Sequence, residues 1–552
     1  MTIYQVLPRL FGNDLTCRVP GGTREQNGCG TLADFSGKVL DEIRGMGATH
    51  VWFTGLIEHA TQTDYSAYGI AADCPDVVKG KAGSPYAIKD YYDIDPDLAT
   101  RVPQRMREME SLVRRTHQAG LGFIMDFVPN HVARQYHSDS CPKGTEDLGE
   151  GDDRTVAFSP RNNFYYLPGE PLHLENITGG RARYSEFPAR ATGNDCFSAW
   201  PSGNDWYETV KLNYGVDYQN GFRRHFTPRP PTWDKMLAIL LFWASKGVDA
   251  FRCDMAEMVP VEFWQWAIAR VKGLYPDLLF IAEVYNPALY REYVHHGGFD
   301  YLYDKVGLYD TLRAVTRHET SAQRLTGCWQ QVDDIRAHML RFLENHDEQR
   351  VASDFFASDP RRGRAPLLVI AMMDASPMMI YFGQELGEKG MDAEGYSGRD
   401  GRTTIYDYWT LDTIRRWRNG GKYDCGLLTG DEQRLRAFYK RVLTLRETMP
   451  ALRSGRFYDL MYANPHLHRQ YAFVRSLGHE VVVVIANFDD QEAQVTLSLP
   501  RELFDFLGMK GQANARAQEL LSGDTTQVDF MATTPLQAKV PRWNGVAFSI
   551  RL

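Results

Sequence analysis

At 552 residues the chain exceeds one small core, and its 43% hydrophobic and 24% charged residues are ordinary for a globular protein and argue against disorder. The formal net charge of -8 is dispersed, with no Lys/Arg stripe to neutralise phosphates, which argues against nucleic acid as a partner. No apolar run approaches the ~20 residues that cross a bilayer, so no membrane partner is expected.

Ile3 to Phe11 reads as a strand, Asp34 to Met46 as an amphipathic helix closed by Gly47, and Thr49 to Phe53 as a second strand. A long polar loop follows, carrying Tyr65, Tyr68 and the segment Asp90 to Pro96. Pro103 to Gln118 has helical periodicity with Pro near its first turn and Gly120 at its end, and Gly122 to Val128 is an apolar strand running into Pro129-Asn130-His131. The rhythm then breaks. His131 to Arg252 spans 121 residues where one βα unit of a barrel takes about 31, so roughly 90 residues are inserted, rich in Gly, Pro, Asn, Asp and Ser. Trp233 to Ser245 resumes as an apolar helix and hands over to the strand Gly247 to Asp254.

Arg252 and Asp254 lie two apart, so on a strand they point to one side, and the cation favours the ionised carboxylate. Phe263 to Val271 reads as a helix, Leu278 to Ala282 as a strand ending in Glu283, Phe299 to Tyr303 as the next, and Met339 to Leu343 as a strand running into Glu344-Asn345-His346-Asp347. Pro366 to Met373 and Met378 to Gly383 supply a helix and an eighth strand, and Gln433 to Thr448 a closing helix. Alternating strands and helices imply parallel βα units, and eight of them imply an α/β fold of the (β/α)8 TIM barrel type. Beyond Gly455 the pattern becomes alternation without helices, as in Glu480 to Ala486 and Ala493 to Leu499, which implies a C-terminal all-β sandwich. The expected organisation is a barrel in two parts, 1–132 and 219–450, an insertion at 133–218, and a β-domain at 451–552.

Barrel active sites lie at the C-terminal ends of strands, where His131, Asp254, Glu283 and Asp347 fall. Three carboxylates in one mouth repel, so one is raised in pKa or neutralised by Arg252 and the histidines. Glycoside cleavage uses that arrangement: a carboxylate nucleophile, a protonated acid for the leaving oxygen, and stabilisation of an oxocarbenium-like transition state. Asp254 beside Arg252 suits the nucleophile; Glu283, approached by an apolar strand and lacking an adjacent cation in sequence, suits the acid/base. Asp126 reads as structural.

The segments Asp126 to His131, Phe251 to Asp254, Ala282-Glu283-Val284 and Asn345-His346-Asp347 resemble, in order, the four signature regions of the α-amylase family, glycoside hydrolase family 13. The resemblance implies a barrel with a domain B inserted after the third strand and a C-terminal β-domain. It further implies Asp254 as nucleophile, Glu283 as general acid/base and Asp347 as transition-state stabiliser, with His131, Arg252 and His346 as substrate contacts and Tyr68 as the family's stacking tyrosine. Two positions depart from the pattern. Glu257 and Met258 stand where many members carry Lys-His, so acceptor contacts differ and endo-acting starch cleavage is in doubt. Lys211 stands where many members place a calcium-ligating Asp, and an ammonium cannot ligate a cation, so no metal and no cofactor are expected. The eight Cys show no metal-ligand spacing, and Cys253 reads as a buried reduced thiol.

The reaction implied is retaining hydrolysis of α-glucosidic bonds in α-glucans or maltooligosaccharides, with an oligo- or polysaccharide as partner. A transglycosylase or glucosyl isomerase uses the same machinery, and a carbohydrate-binding protein without turnover is the reading from another class. Linkage, chain-length preference and oligomeric state stay open. Met1 to Leu7 enters a strand pattern without a basic and apolar leader, so the expectation is a cytoplasmic protein or one whose secretion signal has been trimmed away.

Overall fold

The structure, a computed structural model, describes residues 1–396 and 398–551. Eight parallel strands form its centre: β1 (Thr2–Val6), β2 (His50–Phe53), β3 (Gly122–Phe127), β4 (Ala250–Cys253), β5 (Leu279–Ala282), β6 (Tyr301–Tyr303), β7 (Met339–Leu340) and β8 (Met378–Tyr381). β1 to β7 pair successively in chain order, and β8 pairs back to β1. Arg341, just past β7, bridges to Met378, giving its N–H to Pro377 O and accepting from Met379 N–H, and this closes the ring. The short strands are buried on both faces, as expected where helices cover the outside and side chains fill the inside.

The expected elements are present with shifted ends, the strands mostly shorter and helices such as Val261–Leu274 and Gly430–Thr448 longer. The first strand stops at Val6 because Pro8, with φ preset and no N–H to donate, opens a helical turn at Pro8–Phe11. The helix expected at Asp34 to Met46 runs Gly37–Gly45 after a separate turn at Leu32–Asp34. The polar loop after β2 is more ordered than its composition suggests: Ile57–His59 pairs antiparallel with Ile88–Ile94, and that second strand is wholly buried. Between β3 and the helix Pro231–Ala244 that leads into β4, the inserted region is built mainly of short strand pairs, with one helical turn at Glu175–Thr178. One of the pairs, His131–Ala133 against Thr209–Lys211, lays the inserted region on the tip of β3. A small separate core of Val77, Leu167, Leu172, Leu174, Ala199 and Tyr207 supports that region.

The C-terminal part is a six-stranded antiparallel sheet with a second, two-stranded sheet, Ala493–Leu497 with Leu536–Val540. One short helix, Arg501–Leu507, interrupts the all-β pattern. The apolar side of the six-stranded sheet shares one continuous core with the barrel. Buried Arg475 fastens it there by donating to Met372 O at 2.9 Å. All eight cysteines are free, and Cys253 is buried in β4. Among the described residues no helix is long and apolar enough to cross a membrane.

Candidate active site

The tips of the strands surround a cavity of about 310 Å³. Its lining includes His131 from the end of β3, Asp254 from β4, Glu283 from β5 and Asp347 from the segment after β7. Strand register explains the convergence. Arg252 stands beside Asp126 across β3 and β4 and beside Ile281 across β4 and β5, so its side chain enters the ring at the level where the acidic tips begin.

Arg252 is the hub. Its Nη1 donates to Asp254 Oδ1 at 2.7 Å and lies 3.4 Å from Asp126 Oδ1, while Nη2 forms an ion pair with Glu283 Oε2 at 2.8 Å. Nε donates to Tyr303 Oη at 3.1 Å, and the rings of Trp52, Tyr86 and Tyr303 surround the guanidinium. This changes one expectation. Glu283 has no cation next to it in sequence, yet in space it shares the guanidinium with Asp254. The contrast between an ion-paired nucleophile and an unpaired acid therefore does not come from Arg252. Burial pushes the Asp254 carboxyl well above the ordinary range, Arg252 pulls it back, and the charge of Glu283 adds to the rise. Asp254 and Glu283 thus share one guanidinium, and each acid feels the charge of the other.

Glu283 is further held by two donors: Tyr285 Oη–H to Oε1 at 2.6 Å and Met255 N–H to Oε2 at 2.8 Å. Met255 takes a left-handed conformation, φ 42°, which is costly for a residue with a Cβ and turns its N–H toward Glu283. Glu257 accepts from the N–H groups of Tyr285 and Asn286 at 3.2 and 3.0 Å, tying the loop after β4 to the loop after β5. Burial opposes ionisation of Asp347, but His346, Arg252 and Arg402 outweigh it and hold the carboxyl below its usual range. His346 Nε2 lies 2.9 Å from Asp347 Oδ2. Its Nδ1 is 2.8 Å from Gln5 Nε2, and Tyr86 Oη is 2.7 Å from Nε2. His131 is buried against Trp206, and desolvation, with Lys211 and Lys79 nearby, lowers its pKa to about 3, so its imidazole is neutral. Asp126, as expected of a structural residue, accepts from Trp52 Nε1 at 3.1 Å beneath the cavity.

Tyr68 is not brought to the site. It ends a short surface turn, Ser66–Tyr68, is 53% exposed, and is absent from the cavity lining. Tyr86 lines the cavity instead, and its ring stacks on His346 at 5.2 Å. Tyr86 lies two residues before the buried strand Ile88–Ile94, which pairs with Ile57–His59, whereas Tyr68 lies in the exposed turn between those strands. Tyr285, Trp206, Glu208, Lys79 and Tyr406 also line the cavity without having been singled out.

Two places bear on metal binding. At the position of the family's calcium ligand, the buried Lys211 ammonium donates to Asn130 Oδ1 at 2.8 Å, pairs with Asp195 Oδ1 at 2.5 Å and sits 4.9 Å from the centre of the Tyr218 ring. These residues do not fit a cation, since a fixed positive charge already contacts the oxygens that would ligate one. Elsewhere the carboxyls of Glu58, Asp90 and Asp93 come within 4.8 Å of one another. Asp90 and Asp93 are engaged by Ser138, Ser140, Arg105 and backbone N–H groups. Glu58 is only 2% exposed, and burial with the two neighbouring charges pushes it up to about 8, so it carries a proton at neutral pH.

An eight-stranded barrel with acids of β4, β5 and the β7 tip on one cavity defines a class, the barrel glycosidases. Residues 5–418 match the family model for the alpha amylase catalytic domain, and the chain belongs to the α-amylase family of glycoside hydrolases. It is 22% identical to neopullulanase 2 of Thermoactinomyces vulgaris over 98% of this chain and 77% of that one. It is 23% identical to a cyclomaltodextrinase of a Bacillus species, over 88% and 72%. Among solved structures a noncanonic maltogenic α-amylase of Thermotoga neapolitana superposes with TM-score 0.64 at 20% identity, covering 100% and 99% of the two chains. A cyclic α-maltosyl-(1→6)-maltose hydrolase of Arthrobacter globiformis does so with TM-score 0.63 at 18% identity, covering 99% and 98%.

Proposed function

We propose that the protein is a retaining glycosidase of α-glucans or maltooligosaccharides in which Asp254 is the nucleophile, Glu283 the general acid/base and Asp347 the stabiliser of the oxocarbenium-like transition state. The observation that carries this reading is the single guanidinium of Arg252 holding Asp254 and Glu283 together on one cavity that Asp347 also faces. Asp254 attacks the anomeric carbon as the glycosidic C–O bond breaks, and Glu283 gives its proton to the departing oxygen. Water then attacks the glycosyl-enzyme ester, Glu283 takes the water proton, and the Asp254 carboxylate leaves. Neutral His131 and the Tyr86 ring line the nucleophile's subsite and contact the sugar, with His346 stacked behind Tyr86. The names of the relatives, neopullulanase and cyclomaltodextrinase, support α-glucans as the substrate class.

Asp254→Asn should abolish turnover of maltooligosaccharides while the circular dichroism spectrum is unchanged. Full activity of that variant on every α-glucoside tested would reject the reading.

A second reading, transfer to a sugar acceptor, draws support from a separate cavity of about 320 Å³ beside the loop after β4, lined by Tyr218, Phe222, Glu257, Met258 and Tyr293. Aromatic faces there suit a sugar that intercepts the ester in place of water. NMR of the products decides, with longer or rearranged oligosaccharides marking transfer.

A further inference from the structure

The loops that follow β2 and β8 meet across the mouth of the cavity. The N–H groups of Ala82 and Gly83 both donate to Tyr406 O, at 3.0 and 3.2 Å. Beneath this seam Arg9, 2% exposed, donates through Nη1 to Gly83 O at 3.4 Å and Ile405 O at 3.2 Å, so one buried guanidinium fastens both loops. The approach is close enough to require glycine. At Gly80, φ 66°, a Cβ would lie 2.2 Å from Tyr406 O, and at Gly83, φ 82°, 1.7 Å from Ala60 O. The inserted region completes the closure. Lys79 Nζ pairs with Glu208 Oε2 at 3.0 Å, the two residues being 8% and 4% exposed, and the ammonium stands 5.3 Å from the centre of the Tyr207 ring. Lys79, Ser84, Glu208, Ile405 and Tyr406 all face the cavity.

The position of this wall relative to the acid fixes its meaning. In a closed ring of eight strands β2 and β8 flank β1, and β5 lies across from β1. Glu283 ends β5, and a leaving group departs past the acid that protonates it. The wall therefore stands at the opposite end, where the non-reducing part of a glucan chain would have to continue. A site that cuts within a chain must be open at both ends. This one is backed by paired backbone, a buried ion pair and obligatory glycines, and its cavity of about 310 Å³ is at the small end of the ~300–1,000 Å³ of ligand pockets.

We infer, on the basis of the glycosidase reading above, that the site is a pocket closed at its glycone end by residues 79–84, Glu208 and residues 405–406, and that the enzyme acts in exo fashion, removing a short saccharide of fixed length from non-reducing chain ends. The seam is part of the scaffold, because its hydrogen bonds and the Arg9 clamp are buried beneath both loops.

The test uses the whole protein and two aryl maltooligosaccharides, identical except that an acetal blocks the 4- and 6-hydroxyls of the non-reducing-end ring in one. A closed glycone end should turn over the free substrate at least about tenfold faster than the blocked one, with a single saccharide length released at early conversion. A ratio below about tenfold, or a ladder of product lengths from the start, would overturn the exo assignment while leaving the glycosidase reading intact. No turnover of either substrate would overturn the glycosidase reading itself, and the exo assignment with it.

Discussion

Replacing Glu58 by Gln tests the electrostatics of the loop that carries the cavity wall. The Glu58 carboxyl is 2% exposed and is pushed from its ordinary 4.5 up to about 8 by burial and by the charges of Asp90 and Asp93. Below about pH 4.5 the group is protonated in both folded and unfolded chains and does not affect the pH dependence. Between about 4.5 and about 8 unfolding releases its proton, so stability falls as pH rises, and above about 8 the full loss is in place. At 1.36 kcal/mol per pH unit the difference is about 5 kcal/mol. Gln keeps the shape and a donor but cannot ionise. Relative to the parent, Glu58→Gln should therefore gain nothing below about pH 4.5 and up to about 5 kcal/mol near pH 8, equivalent to a Tm rise of roughly 4 °C for a chain of this size. Calorimetric scans of both proteins at about pH 5, 7 and 9 measure it. A Tm difference that is flat across these values, or that grows in favour of the parent, would refute the reasoning.

Glu283→Gln should lose about 10²–10⁴-fold in turnover of maltooligosaccharides and much less on an aryl glucoside whose phenolate leaves without a proton; equal losses on both would count against the acid role. Tyr285→Phe removes the 2.6 Å donor to Glu283 Oε1, and the loss of a charge-assisted hydrogen bond, about 1.5–3 kcal/mol, should lower kcat/KM by about 10- to 150-fold without changing the unfolding curve; a change under about twofold would show the contact to be idle. Chelator should leave the Tm unchanged, because the Lys211 ammonium takes the cation's place, whereas Lys211→Met should cost about 3 kcal/mol by stranding Asn130 and Asp195. A large chelator-induced fall in Tm would place a cation on these residues or on the Glu58 cluster.

The sequence by itself determined the barrel, the inserted region, the C-terminal sheets, and the strand tips that carry His131, Arg252, Asp254, Glu283 and Asp347. These were legible because they are local: alternating apolar runs and helical periods repeat within a dozen residues, and a charged residue ending an apolar strand must emerge at the barrel mouth. The departure at Lys211 was legible too, since one residue type rules out ligation. Tertiary structure alone decided that Arg252 serves Glu283 as well as Asp254, that Tyr86 and not Tyr68 lines the cavity, and that the loops after β2 and β8 are sewn together over Arg9. Loop conformation lacks a repeating pattern, and its contacts join residues such as Lys79 with Glu208 and Gly83 with Tyr406, which lie far apart along the chain. Which side chains meet there depends on how the strands close into a ring, which no local stretch of sequence contains.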